Sequence, residues 1–316
     1  MINSLKNKVL NGEEISFQEA RGIYDSPLSE ILEAANEIRE KFCGKKVDLC
    51  SIVNGKSGRC SEDCKYCSQS AHYNTGVEEY DLLNEDDILN LALENQEAGV
   101  HRFSIVTSGR ALKGEDFNKV VDIYNTLREK TELKLCASHG IIGIEEAKRL
   151  KEVGITTYHH NLETSREFFK ETCTTHRYEE RISTIKACKE AGLNICSGGI
   201  IGMGESVEDR LSMAFELKEL DVMSVPVNIL NPIANTPLQF VKKISKEDIL
   251  RTIATFRFIL PKSYIRYAGG RASLEDKVKD GFLGGVNSAL VGDYLTTLGN
   301  KIDEDIELIK SLGMEV

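Results

Sequence analysis

The sequence predicts an α/β fold, a (β/α)8 TIM barrel with an N-terminal helical extension. Three observations carry that expectation. Eight short runs rich in apolar and β-branched residues recur along the chain, amphipathic helical stretches lie between them, and several of those stretches stop at glycine. A doubly wound open sheet is the competing architecture.

Taken in order, the opening "MINSLKNKVLNGEE" has amphipathic helical spacing. Ser16 and Glu19 have the spacing of a capping box, and Ser26-Pro27 reads as an N-cap followed by proline at the first helical position. Residues 1–46 are therefore expected to form the helical extension and residues 47–316 the barrel domain. The expected strands are 47–53, 102–108, 133–139, 156–163, 194–201, 223–230, 264–270 and 285–292. Helices such as "EDDILNLALENQEAG", "GIEEAKRLKEVG" and "YEERISTIKACKEAG" separate them. No Pro/Gly/Ser-rich linker or low-complexity tract divides the chain.

Composition narrows the function classes. The 316 residues carry a formal net charge of -10, with 41% hydrophobic and 28% charged residues, which is ordinary for a globular protein. No apolar run approaches the ~20 residues of a membrane span. The first residues lack the apolar core of a signal peptide, so a cytoplasmic location and no membrane partner are expected. The acidic balance argues against nucleic acid as a partner. Nine cysteines in a reducing compartment point to metal ligands or catalytic thiols rather than disulfides.

In a barrel, chemistry belongs at the C-terminal ends of the strands. There, in the loop after the first strand, "GRCSEDCKYCSQS" places Cys60, Cys64 and Cys67 at C-x3-C-x2-C spacing. A closed zinc site is one reading, with His72 as the fourth ligand that such sites require. A [4Fe-4S] cluster on three thiolates is the other; it leaves one iron open to a small molecule.

"CSEDCKYC", with Tyr66 as its aromatic residue, resembles the hallmark of the radical S-adenosylmethionine superfamily, and "GGIIGMGE" at 198–205 is similar to its G-x-I-x-G-x-x-E signature. The resemblance implies that the open iron chelates S-adenosylmethionine. One electron then breaks the sulfonium bond, and the 5′-deoxyadenosyl radical takes hydrogen from unactivated carbon. Within the superfamily the chain resembles the biotin synthases through "YHHNLETS", "YEERISTIKACKEAGLNICSGGIIGMGES", "SVPVNIL", "SYIRYAGGR" and "GVNSALVGDYLTT". That family inserts sulfur between two saturated carbons of dethiobiotin, consuming two S-adenosylmethionines per biotin. It draws the sulfur from an auxiliary iron–sulfur cluster, usually a [2Fe-2S] held by three cysteines and one arginine. A flavodoxin or ferredoxin electron donor and a homodimer are implied with it.

By resemblance, Tyr66, Glu163, Arg181 and Ile200 contact S-adenosylmethionine. A carboxylate such as Glu163 suits ribose hydroxyls. Arg181 pairs with the methionine carboxylate or is a solvated charge on its helix. Asn161 and Asn228 hydrogen-bond the ureido ring of dethiobiotin or serve as strand-end turn residues. The auxiliary set maps to Cys136, Cys196 and Arg266. Here the chain departs from the family: Ser104 stands where a second-strand cysteine is usual, and Cys50 on the first strand stands where a serine is usual. Cys50 is thus either a packed core residue or the replacement ligand, and the auxiliary cluster is a [2Fe-2S] or a larger one. His159 replaces a family asparagine. Cys173 is a spectator or an extra thiol near the site, while Cys43 and Cys188 read as structural and inert. The alternatives are a biotin-synthase-like enzyme with another substrate, similar to a hydrogenase maturase, and a zinc-stabilised binding protein.

Overall fold

A computed structural model describes the chain except Tyr294, Thr297, Leu298 and Asn300, so the end of the "GVNSALVGDYLTT" stretch falls partly outside the described residues. Three helices come first: α1 (Ile2–Leu10), α2 (Phe17–Tyr24) and α3 (Leu28–Cys43). Parallel strands and helices then alternate. These are β1 (Asp48–Lys56), α4 (Glu85–Glu97), β2 (Arg102–Thr107), α5 (Gly114–Lys130), β3 (Lys134–Ser138), α6 (Ile144–Glu152) and β4 (Thr157–His159). Two helices follow, α7 (Arg166–Thr172) and α8 (Tyr178–Glu190), before β5 (Asn194–Cys196) and β6 (Gly199–Ile201). The chain continues through α9 (Val207–Glu219), β7 (Ser224–Ile229), α10 (Lys246–Ile259), β8 (Tyr264–Tyr267), α11 (Val278–Phe282), β9 (Ser288–Leu290) and α12 (Ile302–Ser311).

The strand order is β5-β4-β3-β2-β1-β9-β8-β7-β6, and a β5–β7 pairing closes the ring. The barrel is closed, which excludes the open sheet. The expected fifth strand, 194–201, is interrupted: β5 and β6 are its two halves, so nine short strands make eight staves. Gly198 sits in the break, where a Cβ would lie 2.0 Å from the Pro226 carbonyl oxygen. Gly99, Gly154 and Gly192 stop their helices with φ of +86°, +93° and +79°, a conformation glycine adopts without penalty.

Apolar side chains fill the layer between strands and helices. Phe103, Ile105, Tyr124, Leu127, Ile253 and Phe256 are all fully buried there. α1 turns Ile2, Leu5 and Val9 inward and packs on α3, which lies against α10. The capping box forms as expected: the Glu19 amide donates to Ser16 Oγ at 3.2 Å, and the Ser16 amide donates to Glu19 Oε2 at 2.7 Å. Ser26 corrects the reading. Its hydroxyl donates backward to the Gly22 carbonyl at 2.8 Å, and α3 starts after Pro27 with no side-chain cap.

Arg257 on α10 fastens the outer layer to the barrel. Fully buried, it donates to the carbonyls of Gly285 (2.7 Å), Ser263 (2.9 Å) and Pro261 (3.0 Å) and to Asn287 Oδ1 (2.7 Å). Arg257→Met leaves the Gly285 and Ser263 carbonyls without their donor. We expect a loss of about 3 kcal/mol or more, read in urea as a lower midpoint with an unchanged slope.

Candidate active site

Beyond β1 the chain curls over the C-terminal rim of the barrel. The Cys60 amide donates to the Gln69 carbonyl (3.0 Å) and the Ala71 amide returns to the Cys60 carbonyl (2.8 Å). Gln69 Oε1 accepts the Gly58 amide at 3.0 Å, so the curl closes on itself. Cys64 is buried, whereas Cys60 and Cys67 are partly exposed. His72, which a zinc site would need as its fourth ligand, places Nε2 3.0 Å from the Ser61 carbonyl instead. The three motif thiols are not gathered as tightly as one metal ion requires. Among the described residues, the compact set is Cys64, Cys173 and His176, with ligand atoms within 4.8 Å of one another.

Cys173 therefore packs beside Cys64 and His176 at the rim, among the residues that hold the cysteine loop. The loop after α7, "CTTH" at 173–176, grips the cysteine loop. Asp63 Oδ1 accepts from the Thr174 amide (2.8 Å) and lies 3.2 Å from Cys173 Sγ, and the Lys65 amide donates to the Thr172 carbonyl (2.9 Å). Burial works to raise the Asp63 carboxyl, but the Thr174 hydroxyl and amide hold it well below the usual carboxylate range. The neighbouring Cys173 and burial push the Cys64 thiol up, and Cys64, His176 and Thr175 together pull the Cys173 thiol down to about 4. Arg181 Nε donates to His176 Nε2 at 3.1 Å, which puts the ring proton on Nδ1, 2.5 Å from Glu62 Oε2. Cys-x2-His on an active-site loop was the sequence signal for this group.

Arg181 is buried against Phe169, with the guanidinium 5.4 Å from the ring centroid, so the solvated alternative fails. Its Nη1 donates to the Asn161 carbonyl at 2.8 Å and lies 3.5 Å from Glu163 Oε1. Glu163 takes φ of +72°, and burial raises its carboxyl against the pull of Arg181. The half-buried Tyr66 bonds its carboxylate. Ile200 on β6 donates its amide to the Glu163 carbonyl at 2.8 Å. In the glycine motif, Glu205 serves its own turn by accepting the Gly202 and Met203 amides, both at 2.7 Å. Asn161 Oδ1 accepts the Gly198 amide (3.2 Å). Asn228 bridges strand ends, accepting from the Gly269 amide (3.0 Å) and donating to the Gly199 carbonyl (3.2 Å). A cavity walled by Cys60, Cys64, Asn161, Glu163, Arg181 and His159 opens between these groups; Asn228 is not in its wall.

Below it the lumen is polar. Cys50 on β1, Cys136 on β3 and Cys196 on β5 are all buried. Cys50 and Cys136 lie near enough to shift each other's thiol, Cys50 up and Cys136 down, and Cys196 Sγ lies 3.3 Å from Ser224 Oγ. Ser104 pairs in register with Cys136. Asp48 accepts from Arg102 Nε (3.0 Å) and Arg266 Nη2 (2.8 Å). Burial would raise the Asp48 carboxyl, but the two guanidinium groups hold it down. Burial also lowers His159 to about 4, so it is neutral at physiological pH. Arg266 Nε, Ser104 Oγ and Ser197 Oγ are buried without partners, the mark of a lumen shaped for a polar guest.

A closed parallel barrel under a three-thiol loop defines the radical S-adenosylmethionine class, and residues 56–217 match the Radical SAM superfamily. The superfamily implies a [4Fe-4S] cluster and S-adenosylmethionine. Residues 226–315 match the Biotin and Thiamin Synthesis associated domain. The chain is 57% identical to a biotin synthase of Clostridioides difficile, covering 100% of this chain and 99% of that one. A biotin synthase of Clostridium tetani is 53% identical, with coverage of 100% and 98%. The chain belongs to the biotin synthase family. Its fold is also that of methylornithine synthase (TM-score 0.86, 19% identity, covering 98% and 96% of the two chains). A FeFe-hydrogenase maturase from Carboxydothermus hydrogenoformans shares it as well (TM-score 0.83, 20% identity, 99% and 78%).

The lowered Cys173 thiol is measurable. In cluster-free protein, thiolate absorbance near 240 nm is expected to persist well below the ordinary thiol range. Cys173→Ala is expected to remove that acidic step; an unchanged titration would assign the low step to another thiol.

Proposed function

We propose that this chain converts dethiobiotin to biotin by radical sulfur insertion, with its two cysteine sets holding separate iron–sulfur clusters. Cys60, Cys64 and Cys67 hold the [4Fe-4S] cluster. When bound, that cluster supplies the electron that splits S-adenosylmethionine and so yields the hydrogen-abstracting radical. Arg181 directs its guanidinium at the methionine carboxylate, Glu163 accepts from the ribose hydroxyls, and Tyr66 and Ile200 flank the cofactor. Asn161 and Asn228 present amides to the ureido ring. Each amide bonds backbone already, yet an amide oxygen has a second lone pair and its nitrogen a second hydrogen.

Cys50, Cys136 and Cys196 ligate the auxiliary cluster, with Arg266 as ligand or close neighbour, and Cys50 stands in for the thiolate that Ser104 lacks. The observation that carries this reading is the set of three buried thiols around a guanidinium whose Nε has no partner. A flavodoxin or ferredoxin delivers the electrons. Residues 1–46 act as a brace on the barrel domain, 47–316.

Anaerobically reconstituted enzyme with a low-potential reductant is expected to form biotin and 5′-deoxyadenosine. Alanine at Cys60, Cys64 or Cys67 should abolish 5′-deoxyadenosine and leave the auxiliary iron. Cys50→Ala should lose auxiliary iron and biotin while still cleaving S-adenosylmethionine, and Ser104→Ala should keep both. Full iron and normal turnover in Cys50→Ala would make Cys50 a packed core residue. A colourless protein containing zinc would end the whole reading.

A further inference from the structure

The interior of a (β/α)8 barrel is ordinarily a packed core rather than a pore. Here a second cavity enters from the opposite, N-terminal end. Its mouth is walled by Arg102, Thr157, Asn194, Met223 and Tyr264, each the first residue of a strand or the residue just before one. Asn194 is exposed and Met223 is 47% exposed, so the mouth meets solvent. Deeper in, the wall is His159, Cys196, Ser224 and Arg266. His159 also walls the upper cavity. The level of His159 and the three lumen thiols thus divides two openings at opposite ends of one barrel.

We propose that this lower opening is a port for hydrosulfide, through which the sulfur spent in each turnover is replaced at Cys50, Cys136 and Cys196. The proposal rests on the reading that an auxiliary cluster at these thiols is the sulfur donor. Three features fit a small sulfur anion. Arg102 and Arg266 set two positive charges against the single carboxylate of Asp48, so the channel attracts anions. Arg266 is 4% exposed, and its Nε is a buried donor without a partner at the inner end. Met223 and Ile195 give the wall apolar patches, which suit a soft, weakly hydrated anion better than phosphate or sulfate. Need also points downward. During turnover the upper cavity holds S-adenosylmethionine and dethiobiotin, so replacement through the lower end requires neither to leave. The step balances: hydrosulfide enters, becomes a bridging sulfide and loses its proton to water, while the two electrons that the two new C–S bonds leave on the auxiliary iron pass to the oxidised form of the flavodoxin or ferredoxin.

The test uses holoenzyme after one turnover, with S-adenosylmethionine and dethiobiotin kept in excess so that the upper route is filled. Sulfide labelled with sulfur-34 is added. Label retained by the protein is followed by native mass spectrometry, and label in the next biotin by its mass. Asn194→Trp and Met223→Trp narrow the exposed mouth, and Asn194→Glu adds a negative charge there. Both Trp variants should slow uptake while 5′-deoxyadenosine formation in the first turnover stays unchanged. Asn194→Glu should slow it about tenfold, the lower end of what a charged cleft contributes to anion capture, and Asn194→Lys should not slow it. Full iron with unslowed uptake in the Trp and Glu variants overturns the port alone, as does uptake that occurs only when the upper ligands are withheld. Iron sufficient for the upper cluster only overturns the sulfur-donor reading, and the port with it.

Discussion

Asp48 is the constraint on which the lumen depends. Two guanidinium groups inside a barrel are costly to desolvate, and removing the carboxylate between them would leave buried charge uncompensated. Asp48 sits at the start of β1 and reaches Arg102 on β2 and Arg266 on β8. The ionic triad therefore spans the staves on both sides of the seam where β1 meets β9. It also fixes the attitude of Arg266. With Nη2 committed to Asp48, Nε faces the cavity of the thiols and finds no acceptor.

A lumen given over to charge and thiols cannot also be the hydrophobic core. The core moves outward, to the shell between strands and helices, where buried arginines tie neighbouring segments together. Arg257 satisfies carbonyls that the 260–263 turn and Gly285 would otherwise leave without donors. Arg271 and Asp305 make a second buried pair, with an N–O distance of 2.6 Å, tying α12 back to the segment after β8.

The closed barrel was legible because the chain alternates two periodicities and punctuates them with glycines whose positive φ the structure requires. What was not legible shares a physical cause: local pattern does not encode contact at long range. The hydroxyl of Ser26 suits the end of one helix as well as the start of the next, and packing chose the former. Arg181 lies among charged residues in "YEERIS", and only the fold sets Phe169 beneath it. Cys173 meets Asp63 from 110 positions away, so sequence gave its place on the rim but not its partner. The exchange of Ser104 and Cys50 was visible only against a family pattern. The register then places Ser104 beside Cys136 and leaves the buried Cys50 near Cys136 across the intervening strand.

The grip of the 173–176 loop alters how the upper site must work. Glu62 and Asp63 lie between two of the motif cysteines; His176, which contacts Arg181, holds Glu62, and Thr174 holds Asp63. The chain of contacts runs from the cysteine loop through Glu62 to His176, and from His176 to Arg181 and Glu163. Every link is a directed hydrogen bond or an ion pair among buried groups, where geometry is enforced more strictly than at a wet surface. A shift of the loop carrying Cys64 therefore turns His176, and His176 turns the guanidinium that faces the upper cavity. The cysteine loop and the cavity-lining Arg181 and Glu163 are positioned as one unit, although roughly a hundred residues separate them in sequence. A cysteine loop that looks autonomous in the sequence takes its shape from the far side of the barrel.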